Sequence, residues 1–330
     1  MRVLYIGGSG NISWRCVSAS LELGHEVWVL NRGSSDPKRR LLPDMVRRLQ
    51  GDIRKPELVN EAIGNAKFDS VVDFTCYSPE HAHAALRLFK GRTHQFIFIS
   101  STASYQKPTL KLPYTEETPL SNPYWLYARN KAECERIFLA AFSDDGFPVT
   151  IVRPGHTYDT IVPVAVGNGD WTIPARLLGG KPIPLHGDGS TLWTLTHSVD
   201  FAGALARLIS RPDALGQSFH ITSDEWLTWR QITEILAHAL GAPSPCFVCV
   251  PTSEIYKRNQ WLGQTILGHK SWCDIYDNTK IKAFVPGWRA RVSYTDGIRK
   301  TLQWFDQDPA RKFTDLEMDK FLDRLCIDFR

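Results

Sequence analysis

Tyr127 and Lys131 stand four residues apart in Tyr127-Ala128-Arg129-Asn130-Lys131. On a helix that spacing puts a phenol and an ammonium on one face, one turn apart. A phenol with a pKa near 10 is a poor acid or base at neutral pH. A nearby ammonium stabilises the phenolate and lowers that value, which makes proton transfer practical. Upstream, Ser100-Ser101 closes an apolar run. A serine at the carboxyl end of a parallel strand can orient a substrate hydroxyl or carbonyl beside Tyr127. Near the start of the chain, Val3-Leu4-Tyr5-Ile6 leads into Gly7-Gly8-Ser9-Gly10-Asn11-Ile12-Ser13. Glycines let the backbone approach a pyrophosphate, and a helix N-terminus offers free N–H groups and positive dipole charge. Gly7, Gly10, Asn11 and Ile12 are the candidates for that contact. Ser13 occupies the place of a third glycine, so helix and strand are expected slightly further apart.

The second strand-like run ends at Asn31-Arg32-Gly33, with Lys38, Arg39 and Arg40 close behind. A site for NAD usually places a carboxylate there to meet the ribose hydroxyls. A neutral amide followed by a guanidinium suits a 2′-phosphate, so NADP is expected over NAD, with NAD still possible. Trp193 and Trp171 are placed to stack on a sugar ring, although ordinary packing accounts for most of the eleven tryptophans. No metal site is expected. Cys246 and Cys249 form a lone CxxC that reads as a short buried strand, on which residues three apart face opposite ways. His81 and His83, two apart on a helix, share no face and read as solvated surface histidines.

Elements must hold these groups in place. Residues 3–7, 26–31, 70–74, 95–100 and 149–153 are strand-length apolar runs, and helical patterns lie at 11–24, 52–64, 79–90 and 123–142. Strands alternating with helices predict an α/β fold, a Rossmann-type doubly wound parallel sheet, over residues 1–154. After Pro154, proline and glycine become frequent and elements shorten; helices return at 199–210, 229–240 and 294–305. Residues 155–330 are expected to form mainly a smaller α+β lobe for substrate. Within the 330 residues, 39 basic against 35 acidic side chains give +4, too even to argue for nucleic acid as a partner. No run approaches the ~20 apolar residues of a membrane helix. Seven scattered cysteines, an odd number, do not read as a disulfide framework. A cytoplasmic protein without membrane partners is the expectation.

Together these features resemble the extended short-chain dehydrogenase/reductase family, in its NAD(P)-dependent epimerase/dehydratase branch. Further matching motifs are Asp52-Ile53, Phe-Ile-Phe-Ile-Ser-Ser at 96–101, Val152-Arg153-Pro154-Gly155, Gly187-Asp188-Gly189, Val199-Asp200-Phe201-Ala202 and Pro286-Gly287-Trp288. The resemblance implies Ser101 as the catalytic serine beside Tyr127 and Lys131. It implies that Asp52 and Ile53 flank the adenine, that Thr75 lies near ribose or phosphates, and that Pro154 borders the nicotinamide. His156 falls where relatives place a substrate-contacting side chain, a position that a buried structural histidine fits equally well. The implied activity is hydride transfer in an epimerase or ketoreductase acting on a sugar or nucleotide-sugar. The implied assembly is a homodimer through the helices at 79–90 and 123–142. Ala82, Ala85, Leu86 and Phe89 on one helix, and Ala128, Ala132, Ile137 and Leu139 on the other, would supply the contact; the alternative is that both helices pack only on their own sheet and the protein is a monomer.

Two departures bear on the chemistry. Thr102 and Ala103 stand where sugar 4,6-dehydratases carry an Asp-Glu pair, so dehydration of that type is not expected. Trp193 stands where nucleotide-sugar enzymes often clamp a diphosphate with arginine; Arg289 or Arg291 is the candidate substitute. The alternative is a catalytically idle relative that binds RNA or senses NADP. Retention of the Tyr127/Lys131 pair argues against it.

Overall fold

The computed structural model describes residues 1–33 and 40–330. In the first half the chain runs β1 (Arg2–Ile6), α1 (Ser13–Glu22), β2 (Glu26–Asn31), β3 (Arg47–Gln50), α2 (Pro56–Ile63), β4 (Ser70–Asp73), α3 (Pro79–Phe89), β5 (Phe96–Ile99), α4 (Leu126–Asp145) and β6 (Val149–Pro154). The second half contributes β7 (His156–Tyr158), α5 (Thr172–Leu178), β8 (Ile183–His186), β9 (Leu192–His197), α6 (Ser198–Leu208), β10 (Ser218–Ile221), β11 (Trp226–Thr228), α7 (Trp229–Leu240) and β12 (Phe247–Val250).

The expected doubly wound sheet is present, with seven strands in the order β3-β2-β1-β4-β5-β6-β10. All its pairings are parallel. Helices cover both faces, which is why β1 and β4 to β6 are buried along almost their whole length. Alternation along β1 divides the core: Val3 and Tyr5 pack with α1 and α6, Leu4 and Ile6 with α2, α3 and α4. The strand order reverses between β1 and β4, and a crevice opens beyond their carboxyl ends.

The chain crosses residue 154 and later returns, since α6 and β10 belong to this layered sheet. The rest of the second half packs around its own core, which contains Trp171, Trp193 and Trp229. Three further strands pair in the order β11-β9-β7, and β8 pairs with β12.

Several expectations change here. Trp171, 7% exposed, packs against Phe305 instead of facing a ligand. The CxxC strand is only half buried, and both Cys246 and Cys249 are exposed. The stripes assigned to a dimer contact are largely used within the chain. Ala82, Ala85 and Phe89 on α3, and Ala128 and Ala132 on α4, are buried, because these two helices and the sheet pack together. Leu86, Ile137 and Leu139 remain half-buried at the surface. Helix α4 begins at Leu126, later than the periodicity predicted. Asn122 pins the preceding segment by donating to the Ala103 and Gly268 carbonyls at 2.8 and 2.6 Å. Tyr127 therefore sits in the first turn of α4. Among the described residues no helix is long and apolar enough to cross a membrane, and no cluster of His, Cys, Asp or Glu is arranged to hold a metal ion.

Candidate active site

The crevice is a cleft of about 870 Å³ that runs from the glycine turn to the second half of the chain. Lining it are Gly7, Gly10, Asn11 and Ile12 at the turn; Asn31, Arg32, Asp52 and Ile53 at the ends of β2 and β3; Thr75 after β4; and Ser101, Tyr127, Lys131, Pro154, His156 and Trp193 toward the far end.

The turn is built for close backbone approach. Gly7 has φ +82°, a left-handed conformation, and a Cβ there would stand 2.6 Å from the Thr75 methyl. A Cβ on Gly8 would meet the Val29 methyls at 2.8 Å, so Gly8 is what lets the turn lie tightly on β2. Ser13 ties the turn together. Its hydroxyl donates to the Gly7 carbonyl at 2.6 Å and accepts from the Gly10 N–H at 2.8 Å, closing the loop as a staple. The Asn11 side chain bonds the Thr157 carbonyl and the Thr160 N–H, tying the turn to the second half. Asp73 fixes Thr75, accepting from its N–H and its hydroxyl at 2.7 and 2.8 Å. A tight glycine cradle beside an open helix N-terminus suits a pyrophosphate.

At the ribose end, Asn31 donates to the Ser9 hydroxyl at 3.2 Å, and Arg32 is exposed on the cleft wall. Arg40 is not available to a phosphate. It pairs with buried Asp159 at 2.8 Å and packs on Trp14 and Trp304. Lys38 and Arg39 lie outside the described residues. Asp52 is gripped by Arg54, whose hydrogen bonds hold its carboxyl down at about 2.

At the opposite end, Ser100 and Ser101 divide their work. Ser100 turns inward and donates to Glu135 at 2.5 Å, while Ser101 stands beside the Tyr127 phenol. Lys131 donates to the carbonyls of Cys76 and Ile99, both at 2.7 Å, with its ammonium 5.8 Å from the centre of the Tyr127 ring. Burial pushes the Tyr127 phenol above its ordinary value, and Ser101 pulls it back only in part. The expected lowering by Lys131 is not what this arrangement produces, because the ammonium is turned onto two backbone carbonyls.

The far wall differs most from expectation. Trp193 is 1% exposed and presents little ring for stacking; its indole N–H donates to His156 Nδ1 at 3.2 Å. Burial pushes the His156 imidazole down to about 3, so the ring is neutral and its proton sits on Nε2. Arg289 and Arg291 are exposed and do not line the cleft. The cation on that wall is Lys270, which donates to the Val164 carbonyl at 2.7 Å and which burial lowers to about 8. Trp125, Trp261 and His269 complete the wall. The segment 261–270 carried no motif in the sequence. Its only signal was the interruption of an apolar stretch by Gly268-His269-Lys270.

A family model described as the NAD dependent epimerase/dehydratase family matches residues 3–222. A 2'-dehydrokanamycin reductase from Streptomyces kanamyceticus is 31% identical over 301 residues, covering 88% of this chain and 81% of the relative. An epimerase structure from Methanothermobacter thermautotrophicus superposes with a TM-score of 0.78 at 17% identity, covering 94% of each chain. UDP-glucose 4-epimerase from Bifidobacterium longum, solved with NAD+ and UDP, superposes with a TM-score of 0.74 at 20% identity, covering 95% of this chain and all of that one.

Proposed function

The chain belongs to the NAD dependent epimerase/dehydratase family, and from that premise we propose that it reduces the ketone of a sugar derivative, with NADP(H) as its cofactor. The observation that carries this is the Ser101–Tyr127 pair at the far end of the cleft, with the phenol held protonated by burial. The bound nicotinamide supplies hydride chemistry. Ser101 and Tyr127 hold the carbonyl oxygen between their hydroxyls. Tyr127 gives its proton to that oxygen as the carbon is reduced, while Lys131, one turn along α4, is held on the Cys76 and Ile99 carbonyls. Similarity to a reductase supports this direction over epimerisation.

The wall chemistry favours a neutral or anionic sugar. Lys131 and Lys270 face that end beside His156 and His269, and among the described residues its lining includes no carboxylate. An aminoglycoside, with several ammonium groups, would meet like charge. A nucleoside-diphosphate 4-ketohexose would find Lys270 for its phosphates. Both ketones are offered with NADPH, and consumption of NADPH is followed. Turnover of the 4-ketohexose above that of 2'-dehydrokanamycin is expected. Binding of NADPH with no consumption by any keto-sugar would sink the proposal.

For the cofactor, Asn31 and Arg32 in place of a ribose-binding acid support NADP. Titration of the stripped protein should give NADP binding at least as tight as NAD, and Arg32→Ala should remove the difference. Tighter NAD binding that Arg32→Ala leaves alone contradicts the assignment. Seven free thiols support a reducing, cytoplasmic setting.

The resemblance also supports a homodimer through α3 and α4, using the surface that Leu86, Ile137 and Leu139 still offer. Light scattering at micromolar concentration should give about twice the 37.4 kDa chain mass. A single-chain mass at every concentration removes the dimer.

A further inference from the structure

Two thiols stand together behind the wall of the cleft, and the hydride reaction uses neither. Cys76 sits in the loop between β4 and α3, and Cys134 on α4, one turn beyond Lys131. Both residues are fully buried. The Cys76 thiol donates to Cys134 Sγ at 3.9 Å, so the sulfurs are in direct contact although 58 positions separate them in the chain. That bond outweighs burial and, with the Lys131 ammonium, holds the Cys134 thiol below its ordinary value. The same bond, together with burial, pushes the Cys76 thiol up. Cys134 is therefore the sulfur that gives up its proton first, and a thiolate is the nucleophilic form.

Little slack separates this pair from the cofactor wall. Thr75, the chain neighbour of Cys76, is fixed by two hydrogen bonds to Asp73 and packs so closely on the glycine turn that a Cβ on Gly7 would stand 2.6 Å from its methyl. The Cys76 carbonyl accepts from Lys131 at 2.7 Å, and the same ammonium lies 4.8 Å from the centre of the Tyr77 ring. Thr75, Tyr77 and Lys131 all line the cleft. A covalent bond would bring the two sulfurs well inside contact distance, drawing the loop and α4 together. Thr75 and the carbonyl that holds Lys131 move with Cys76.

We propose that Cys76 and Cys134 form a dithiol oxidised by hydrogen peroxide, and that their disulfide weakens cofactor binding through Thr75. Burial excludes bulky disulfides, and a small hydroperoxide enters when the irregular loop opens, which costs less than opening sheet or helix. The Cys134 thiolate attacks one peroxide oxygen, and the O–O bond breaks. The hydroxide that leaves becomes water with the proton that Cys134 gave up, and Cys134 becomes a sulfenic acid. The Cys76 sulfur then attacks the Cys134 sulfur, the S–O bond breaks, and the departing hydroxide takes the Cys76 proton as a second water. Each sulfur has lost one electron, and the peroxide oxygens have gained both. A thiol reductant reverses the bond. The proposal needs only that a nicotinamide cofactor binds beside the glycine turn, and is independent of the reductase assignment.

The test uses the reduced full-length protein and no sugar. After hydrogen peroxide treatment the remaining thiols are blocked, the protein is digested and its peptides are weighed. NADPH and NADH are titrated by fluorescence before oxidation, after it, and again after dithiothreitol. A peptide pair joined through Cys76 and Cys134 is expected, with affinity weakened roughly tenfold, the worth of about one hydrogen bond. Dithiothreitol should restore it. Cys134→Ala should bind as the reduced wild type does and ignore peroxide; Cys134→Ser takes its place if the alanine variant does not fold. The exposed Cys246 and Cys249 report that oxidant was present. Their oxidation without the joined pair overturns the proposal, and so does a joined pair with unchanged affinity. Equal loss of affinity in the Cys134 variant places the effect on another thiol and also overturns it.

Discussion

Tyr127→Phe is expected to bind the cofactor as the wild type does and to turn over roughly 10²–10⁴-fold more slowly, the usual contribution of a general acid. The ring that packs 4.7 Å from Trp125 and 6.4 Å from Tyr77 is kept. What is lost is the hydroxyl that stands beside Ser101 and protonates the substrate oxygen. The pH profile makes the same point. A group that acts in its protonated form is competent below its pKa, and burial raises that of Tyr127. Reduction by the wild type should therefore be sustained through neutral pH and fall only on the alkaline side, as the phenol loses its proton. The alkaline fall should be absent from the residual activity of Tyr127→Phe. Near-normal turnover in the variant would mean that another group protonates the carbonyl oxygen.

Glu135→Gln should be the most damaging single change to stability, at about 3–5 kcal/mol, the cost of leaving a buried charge unpaired. Glu135 and Arg153 have side chains 1% and 5% exposed, and the guanidinium grips both carboxylate oxygens. Ser100 donates to the same carboxylate, and Arg153 also reaches the Tyr105 hydroxyl at 3.2 Å and the Glu116 carbonyl at 3.1 Å. An amide matches the shape but brings no counter-charge. The loss is a large part of the ~5–15 kcal/mol that holds an ordinary domain folded. Urea unfolding monitors it. A loss below about 1 kcal/mol would place the pair in the class of solvent-screened surface bridges. Replacing both residues by apolar ones should recover part of the stability, because no charge is then left unpaired. Ser100 and Arg153, both held by Glu135, are the chain neighbours of Ser101 and Pro154, so Glu135→Gln should also disturb the site.

Much of the site was legible because its residues are consecutive or close in the chain. A strand running into glycines and a helix is a local pattern, and so is Tyr127 four residues before Lys131. Both carry their geometry with them, since a helix turn fixes which side chains share a face. The same locality explains the corrections. Trp193 offers an indole in the sequence, but only the packing of β9 against α7 decides that this ring lies in the core beside Trp229, 5.1 Å away. Ala82, Ala85 and Phe89 form an apolar stripe whichever partner covers them, and the partner proved to be their own sheet and α4. Arg40 looked available for a phosphate because Asp159, its partner, lies more than a hundred residues away in the sequence.

The sequence by itself therefore determined the alternation of strands and helices in the first half, the glycine cradle, and the phenol and ammonium on one helix face. Each of these follows from backbone preferences and side-chain period within about twenty residues. Only the tertiary structure decided the charge and protonation of the site. Lys131 turns onto two carbonyls, burial raises the Tyr127 phenol, Ser101 rather than Ser100 meets it, and Lys270 and His269 arrive from a segment without a motif. Desolvation and charge pairing depend on which distant groups exclude water around an atom, and no local spacing encodes that.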